Sequence, residues 1–208
     1  MSTRRYGSSR RTCRSPADSQ RSIDLRIVAG AWRGRTLTVP SGITTRPTSD
    51  RVRQALFDML LHAPWGGREA VEGVRVLDVF AGTGALGLEA LSRGAAHATF
   101  VEHDRAALAA LRANIAACRA DTRATVLAVD ALTLAAGGPA NLLFLDPPYR
   151  QGLVARVIEQ LRSAHWIAPN ALLIAETARD EPVPIAVPLL AERMHGAARI
   201  SIWREHHM

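Results

Sequence analysis

Residues 142–151 read LLFLDPPYRQ. The apolar run has the pattern of a buried strand. It ends on Asp146, and Pro147, Pro148 and Tyr149 follow at once. Proline fixes its own φ and restricts the residue before it, so this strand end is a stiff arch rather than a mobile loop. Such an arch can hold the Asp146 side chain and the Pro147 carbonyl at fixed positions. Tyr149 adds a flat face on which a planar base can stack. The set suits methylation of an exocyclic amine on a nucleobase. That nitrogen is a poor nucleophile because its lone pair is delocalised into the ring. Two acceptors holding its hydrogens would draw the lone pair out of conjugation and aim it, so that positioning and preorganised electrostatics carry the rate. A carboxylate of ordinary pKa, about 4, is too weak a base to ionise the amine first. It would take the proton as, or after, the methyl moves. Stacking on Tyr149 requires an unstacked or extruded base. In isolation the same residues describe an Asp-Pro-Pro turn with a packing tyrosine, so their meaning depends on what stands beside them.

A second stretch, LDVFAGTGALGLEAL (77–91), contains GxGxxG as Gly82, Gly84 and Gly87. Between a strand and a helix, such glycines allow a sharp turn and close approach of a ligand to the backbone. The helix start beyond offers free N–H groups and partial positive charge. Glu102, ending the next strand, can accept both ribose hydroxyls of a nucleotide. These features alone suit NAD equally well. Asp78, just before the glycine loop, and Asp130, followed by Ala131 after the third strand, shift the balance towards S-adenosylmethionine. A carboxylate at Asp78 suits a ligand with a cationic amino-acid tail, and one at Asp130 suits an adenine amino group. Singly, each acid is more often a helix N-cap; together they form a rim.

The elements needed to position these groups are legible in the hydrophobic pattern. Residues 25–40, LRIVAGAWRGRTLTVP, read as a β-hairpin with a basic WRGR turn. Pro47 precedes a helix start at Thr48 or Ser49, with Val52, Ala55, Leu56, Met59 and Leu60 at helical spacing. Residues 62–73 form a loop. Strands are predicted at 74–80, 97–102, 124–129, 141–146 and 171–176. Helices are predicted at about 84–93, 104–118 and 151–163, with a short helix after the third strand. Two weaker strands follow near 184–190 and 197–204. Alternating strands and helices predict an α/β fold with a mostly parallel sheet covered on both faces, with one antiparallel strand at its end.

The net charge of +7 favours an acidic partner such as nucleic acid. All 26 basic residues are arginine. The excess is uneven: residues 1–22 hold six arginines against Asp18. This Ser-rich stretch, nearly free of aliphatic residues, is expected to be disordered. It suits an RNA-binding arm, a transit-like peptide or a mere extension. Cys13 and Cys118 form no metal-spaced cluster or disulfide framework, and the seven histidines show no ligand pattern. No zinc site is expected, and a reducing cytoplasm is. No apolar run approaches the ~18 residues of a membrane span. The Met1 end lacks the apolar stretch of a secretory signal, so export by that route is not expected.

Asp146-Pro147-Pro148-Tyr149 resembles the (D/N/S)PP(Y/F/W) motif of amino-directed nucleic-acid methyltransferases. Four stretches together resemble the bacterial RsmD family, which methylates a guanine amino group of 16S ribosomal RNA: LRIVAGAWRGRTL (25–37), RPTSDRVRQALFDML (46–60), LDVFAGTGALGLEALSRGA (77–95) and LLFLDPPY (142–149). The similarity runs from about Leu25 to Trp203. The glycine loop and DPPY are shared by many methyltransferases; the WRGR hairpin and RPTSDRVR are more specific. The resemblance implies a Rossmann-like seven-stranded methyltransferase sheet with an N-terminal hairpin and helix. The expected division is a tail (1–24), the hairpin and helix (25–62) and a methyltransferase domain (63–208). It implies S-adenosylmethionine near Asp78, Gly82, Gly84, Glu102, Asp130 and Ala131, with Arg46 and Thr48 lying across it. Asp146 to Tyr149 would meet the target base, and Trp32, Arg33 and Arg35 would meet RNA. The implied partner is 16S rRNA within the small ribosomal subunit, and a monomer without metal is expected. Rival readings are an adenine amino-methyltransferase acting on DNA, a nucleotide-binding oxidoreductase and a catalytically silent RNA-binding assembly factor.

Overall fold

The computed structural model describes residues 25–40 and 50–205. Seven strands, β1 (Arg75–Val79), β2 (His97–Val101), β3 (Ala124–Leu127), β4 (Ala140–Leu145), β5 (Ile167–Ala178), β6 (Leu189–His195) and β7 (Ala198–Arg204), form one sheet in the order β3-β2-β1-β4-β5-β7-β6. The first five run parallel, and β7 runs antiparallel between β5 and β6. Strand order reverses between β1 and β4, the place where open α/β sheets bind ligands beyond the strands' carboxyl ends. The predicted weak strand near 184–190 begins later, at Leu189. Residues 183–188 hold three valines and isoleucines, but they alternate with Pro184, Ala186 and Pro188. Proline removes ladder donors, so the strand cannot start before the last of them.

Side-chain alternation along the central strands splits the core in two. Val76, Ala98, Phe100, Leu142 and Phe144 face one side, where they meet helices α1 (Asp50–His62), α2 (Ala85–Ser92) and α3 (Arg105–Cys118). Leu77, Val79, Val101, Leu143 and Leu145 face the other, under α4 (Leu153–Ser163) and residues 131–134. The helix α4 presents Val154, Val157, Ile158 and Leu161 at the spacing that keeps one face inward.

The predicted hairpin is reduced to a short bridge. Arg26 and Thr36 pair antiparallel, Ile27 N–H donates to Arg35, and Leu37 N–H donates to Leu25. A single 3-10 turn, Gly30–Trp32, closes it. Leu25, Ile27 and Leu37 are buried in the same apolar cluster as α1, α2 and the sheet, so the boundary expected at 62/63 marks no break in the core. Polar anchors reinforce the docking. Glu89 accepts from Val28 N–H (2.7 Å) and Ala29 N–H (2.9 Å). Ser92 Oγ accepts from Trp32 N–H at 2.9 Å.

Candidate active site

Strand register brings the singled-out acids to one edge of the sheet. Val79 of β1 is level with Val101 of β2 and Leu145 of β4, and Leu145 is level with Ala175 of β5. Glu102, Asp146 and Glu176 therefore each stand one residue past a common line. Asp78 sits one residue inside it, and Asp130 lies beyond the end of β3.

The glycine loop is built around Asp78. Its carboxylate is 2 % exposed, and its Oδ2 accepts Gly87 N–H at 2.9 Å. Gly87 is required there: a Cβ would lie 2.4 Å from Phe100 Cε1 and 3.1 Å from Asp78 Oδ2. Gly84, at φ +78°, caps α2 in the left-handed region, where a side chain is strained and would also strike Leu111. Glu102 closes the loop from the other side. Its Oε2 accepts Gly82 N–H (2.9 Å), and its Oε1 accepts His103 N–H (2.7 Å) and Asp104 N–H (2.8 Å). Asp130 is exposed and caps the 3-10 turn Ala131–Thr133, accepting Leu132 N–H at 2.8 Å; Ala131 is buried.

This arrangement separates two ligand chemistries that the glycine pattern left open. A dinucleotide pyrophosphate needs the loop's N–H groups and tolerates no buried anion behind them. Here a carboxylate lies under the loop and takes the Gly87 N–H itself. Burial pushes the Asp78 carboxyl up to about 7 from 3.8; the Gly87 N–H opposes this and the Glu102 charge adds to it. The acceptor set suits a cationic ligand rich in hydroxyls, as S-adenosylmethionine is.

The Asp78 shift has a testable sign. An acid raised from 3.8 to about 7 holds its proton in the folded state where the unfolded chain has lost it. Its contribution to stability is complete below pH ~4 and is lost as pH rises through 7. Asp78→Asn keeps an acceptor for Gly87 and removes the titration. The variant is expected to gain on the wild type by roughly 3 kcal/mol between pH 5 and pH 8. Urea unfolding at the two pH values measures it, and an unchanged difference would remove Asp78 as the titrating group.

The DPPY arch is held from below and from beside. Asp146 N–H donates to Val79 O at 3.3 Å, tying the arch to β1. Pro147 is buried and Pro148 exposed. Tyr149 is 42 % exposed, and its hydroxyl donates to Glu176 Oε1 at 2.5 Å. Burial, the bond to Glu176 and the charges of Glu176 and Asp146 all hold the phenol above its ordinary pKa, so it stays a donor. Asp146 and Glu176 line one cleft with Leu56, Leu86, Phe144 and Ile200. Beyond Tyr149 the chain turns through left-handed Arg150 and Gly152, whose N–H groups both donate to Glu181, at 2.7 and 3.0 Å. Burial alone would raise the Glu181 carboxyl, but these and neighbouring backbone donors outweigh it and lower it. Arg199 in turn donates to the Glu181 carbonyl.

The sequence reading passed over three of these groups. Glu176 closes the apolar run ALLIAE as Asp146 and Glu102 close theirs, although β5 itself continues to Ala178. Asn114 accepts Thr38 N–H and donates to Thr38 O and Thr83 O, joining the N-terminal segment to the glycine loop. Its signal was a polar residue on the apolar face of α3. Glu181 lies in a loop and gave no periodic signal.

The residues expected to meet RNA are dispersed. Trp32 packs against the core, with the Arg123 guanidinium 5.1 Å over its ring. Arg35 donates to Ala117 O at the end of α3. Arg33 lines a groove of about 340 Å³ with Arg26, Asp50, Arg51 and Gln54. Arg46 and Thr48 lie outside the described residues. Among the described residues no cluster of His, Cys, Asp or Glu could hold a metal ion, and no helix is long and apolar enough to cross a membrane.

Comparison with known proteins adds an independent line. Residues 25–204 match the family model described as conserved hypothetical protein 95. The chain is 44 % identical over 165 residues to Ribosomal RNA small subunit methyltransferase D of Escherichia coli (strain K12), covering 78 % of this chain and 79 % of that protein. The protein of the same name from Haemophilus influenzae is 36 % identical, over 87 % of this chain and 94 % of its own. Among solved structures, the putative methyltransferase yhhF from Escherichia coli superposes with a TM-score of 0.76 at 39 % identity, covering 88 % of this chain and 99 % of that one.

Proposed function

The chain belongs to the conserved hypothetical protein 95 family, that of the RsmD-type methyltransferases, and we propose that it methylates the exocyclic amino group of a guanine in small-subunit ribosomal RNA. The observation that carries the reading is the placement of the DPPY arch. Asp146 leaves β4 directly beside β1, whose own end supports the acid-lined glycine loop. Sites for a methyl donor and for a base would then share the switch point of the sheet.

S-adenosylmethionine would supply an electrophilic methyl group on a sulfonium. Glu102 and Asp130 would accept its ribose and adenine donors, and Asp78 would hold the glycine loop and balance cationic charge. On the other side of the crevice the Asp146 carboxylate and the Pro147 carbonyl would accept the two amine hydrogens and turn the lone pair out of the ring. Asp146 then takes the proton released as the C–N bond forms. The Tyr149 ring, fixed by Glu176, would carry the base face. Arg26, Arg33 and Arg51 around the 340 Å³ groove would neutralise phosphates of the RNA.

Mass spectrometry of 16S rRNA fragments from cells with and without the gene tests this. One fragment is expected to lose 14 mass units, with N2-methylguanosine missing from its digest; the mass follows from replacing a methyl by a hydrogen, roughly the scale of one CH2. Unchanged rRNA fragments would overturn the reading.

A further inference from the structure

The Glu176 carboxylate, two residues before the end of β5, has no part in the proposed chemistry beyond holding Tyr149. Its position gives it another. Leu145 pairs with Ala175, so Asp146 and Glu176 follow on adjacent parallel strands, which lie about 4.8 Å apart. Both side chains border one small gap, of about 10 Å³, and both charges act on the Tyr149 hydroxyl. Two carboxylates side by side form a row of acceptors.

Only one common base presents a matching row of donors. Guanine carries N1–H next to its N2 amine. Adenine and cytosine carry an acceptor nitrogen next to theirs, and uracil has no amine. We infer that Glu176 is the specificity determinant of this site, accepting guanine N1–H while Asp146 accepts the neighbouring amine. An ionised carboxylate accepts up to about four hydrogen bonds, so the Tyr149 hydroxyl by itself does not saturate Glu176. The same carboxylate repels the N1 lone pair of adenine and the N3 lone pair of cytosine. Discrimination by an unmatched buried polar group is far stronger than discrimination by shape. The inference rests on the guanine reading above and states what selects that base.

The alternative, that Glu176 only anchors Tyr149, is separable. Wild type, Glu176→Gln, Tyr149→Phe and the double variant are compared on small subunits from cells lacking the protein, with the methylated nucleoside identified. Tyr149→Phe keeps the ring and loses the anchor, and is expected to lower kcat/KM by about 10-fold, the lower end for one hydrogen bond to a charged group. Glu176→Gln is expected to lower it by about 30-fold or more, as loss of a charged acceptor does, and the double variant by less than the product of the two, because the two side chains share a hydrogen bond. Glu176→Asp, which keeps the charge on a shorter stem, should recover part of the loss while binding S-adenosylhomocysteine like the wild type. Equal losses in the two single variants, with no further loss in the double, would reduce Glu176 to an anchor. So would wild-type activity in Glu176→Gln. If the wild-type product were N6-methyladenosine, the guanine reading itself would fall; a product of N2-methylguanosine with equal single losses would sink only the role of Glu176.

Discussion

Replacing Glu89 by alanine is expected to destabilise the fold by about 3–5 kcal/mol, the usual cost of leaving buried charge unpaired. Glu89 is fully buried on α2, between two arginines. Its Oε1 lies 2.7 Å from Arg93 Nε and its Oε2 lies 3.5 Å from Arg53 Nε. The Arg53 side chain is also fully buried, and that of Arg93 is 7 % exposed and lies 4.7 Å above the Phe57 ring. Removing the carboxylate leaves both cations without this partner and strips the acceptors from Val28 and Ala29. No water reaches the site cheaply to replace them. Domains of this size are stable by about 5–15 kcal/mol, so the loss is a large share of the total. Glu89→Gln, which keeps an acceptor but not the charge, should lose less. Urea unfolding gives the difference, and limited proteolysis should show residues 25–40 becoming cleavable first, since Glu89 is their polar clamp. A loss below about 1 kcal/mol in the alanine variant would mean that the cluster is solvated.

The contrast between Glu89 and Asp146 explains what could be read from the sequence. Asp146 and Glu102 were legible because each directly follows the apolar run of a strand, and Asp78 because it interrupts such a run just before the glycine loop. Parallel order then puts such ends on one rim without any further information. Glu89 carries no such mark. It sits inside GLEALSR, where an acidic residue on a helix ordinarily faces water. Only the docking of residues 25–40 turns its face inward, and that docking depends on contacts some sixty residues away in the chain. Trp32 illustrates the same limit from the other side. An aromatic residue just before Arg33 and Arg35 reads as a nucleic-acid contact; that its ring also packs on the core under Arg123 has no mark in the local pattern. Strand ends are local features; the partner of a helix face is not.

Asp146→Ala is expected to lower kcat by about 10³-fold or more while leaving the affinity for S-adenosylhomocysteine within a few-fold. The two effects part because the residue's two connections differ. Its backbone N–H donates to Val79 O, and a change of side chain leaves that bond in place. Pro147 remains buried and Tyr149 remains bound to Glu176, so the arch keeps its course. The glycine loop is organised by Asp78 and Glu102, neither of which depends on Asp146. What disappears, on the proposed mechanism, is one acceptor for the amine and the site that takes the proton. Preorganised acceptors of this kind are each worth 10²–10³ in rate, and proton acceptance adds a comparable factor. Asp146→Asn separates the two. Its carbonyl still accepts an amine hydrogen but cannot take the proton, so its rate should lie between those of the wild type and the alanine variant. Single-turnover transfer of a labelled methyl to unmethylated small subunits measures kcat apart from binding. Undiminished transfer in Asp146→Ala would move the chemistry away from the DPPY arch, and an equal collapse of cofactor binding would make Asp146 a structural residue of the rim.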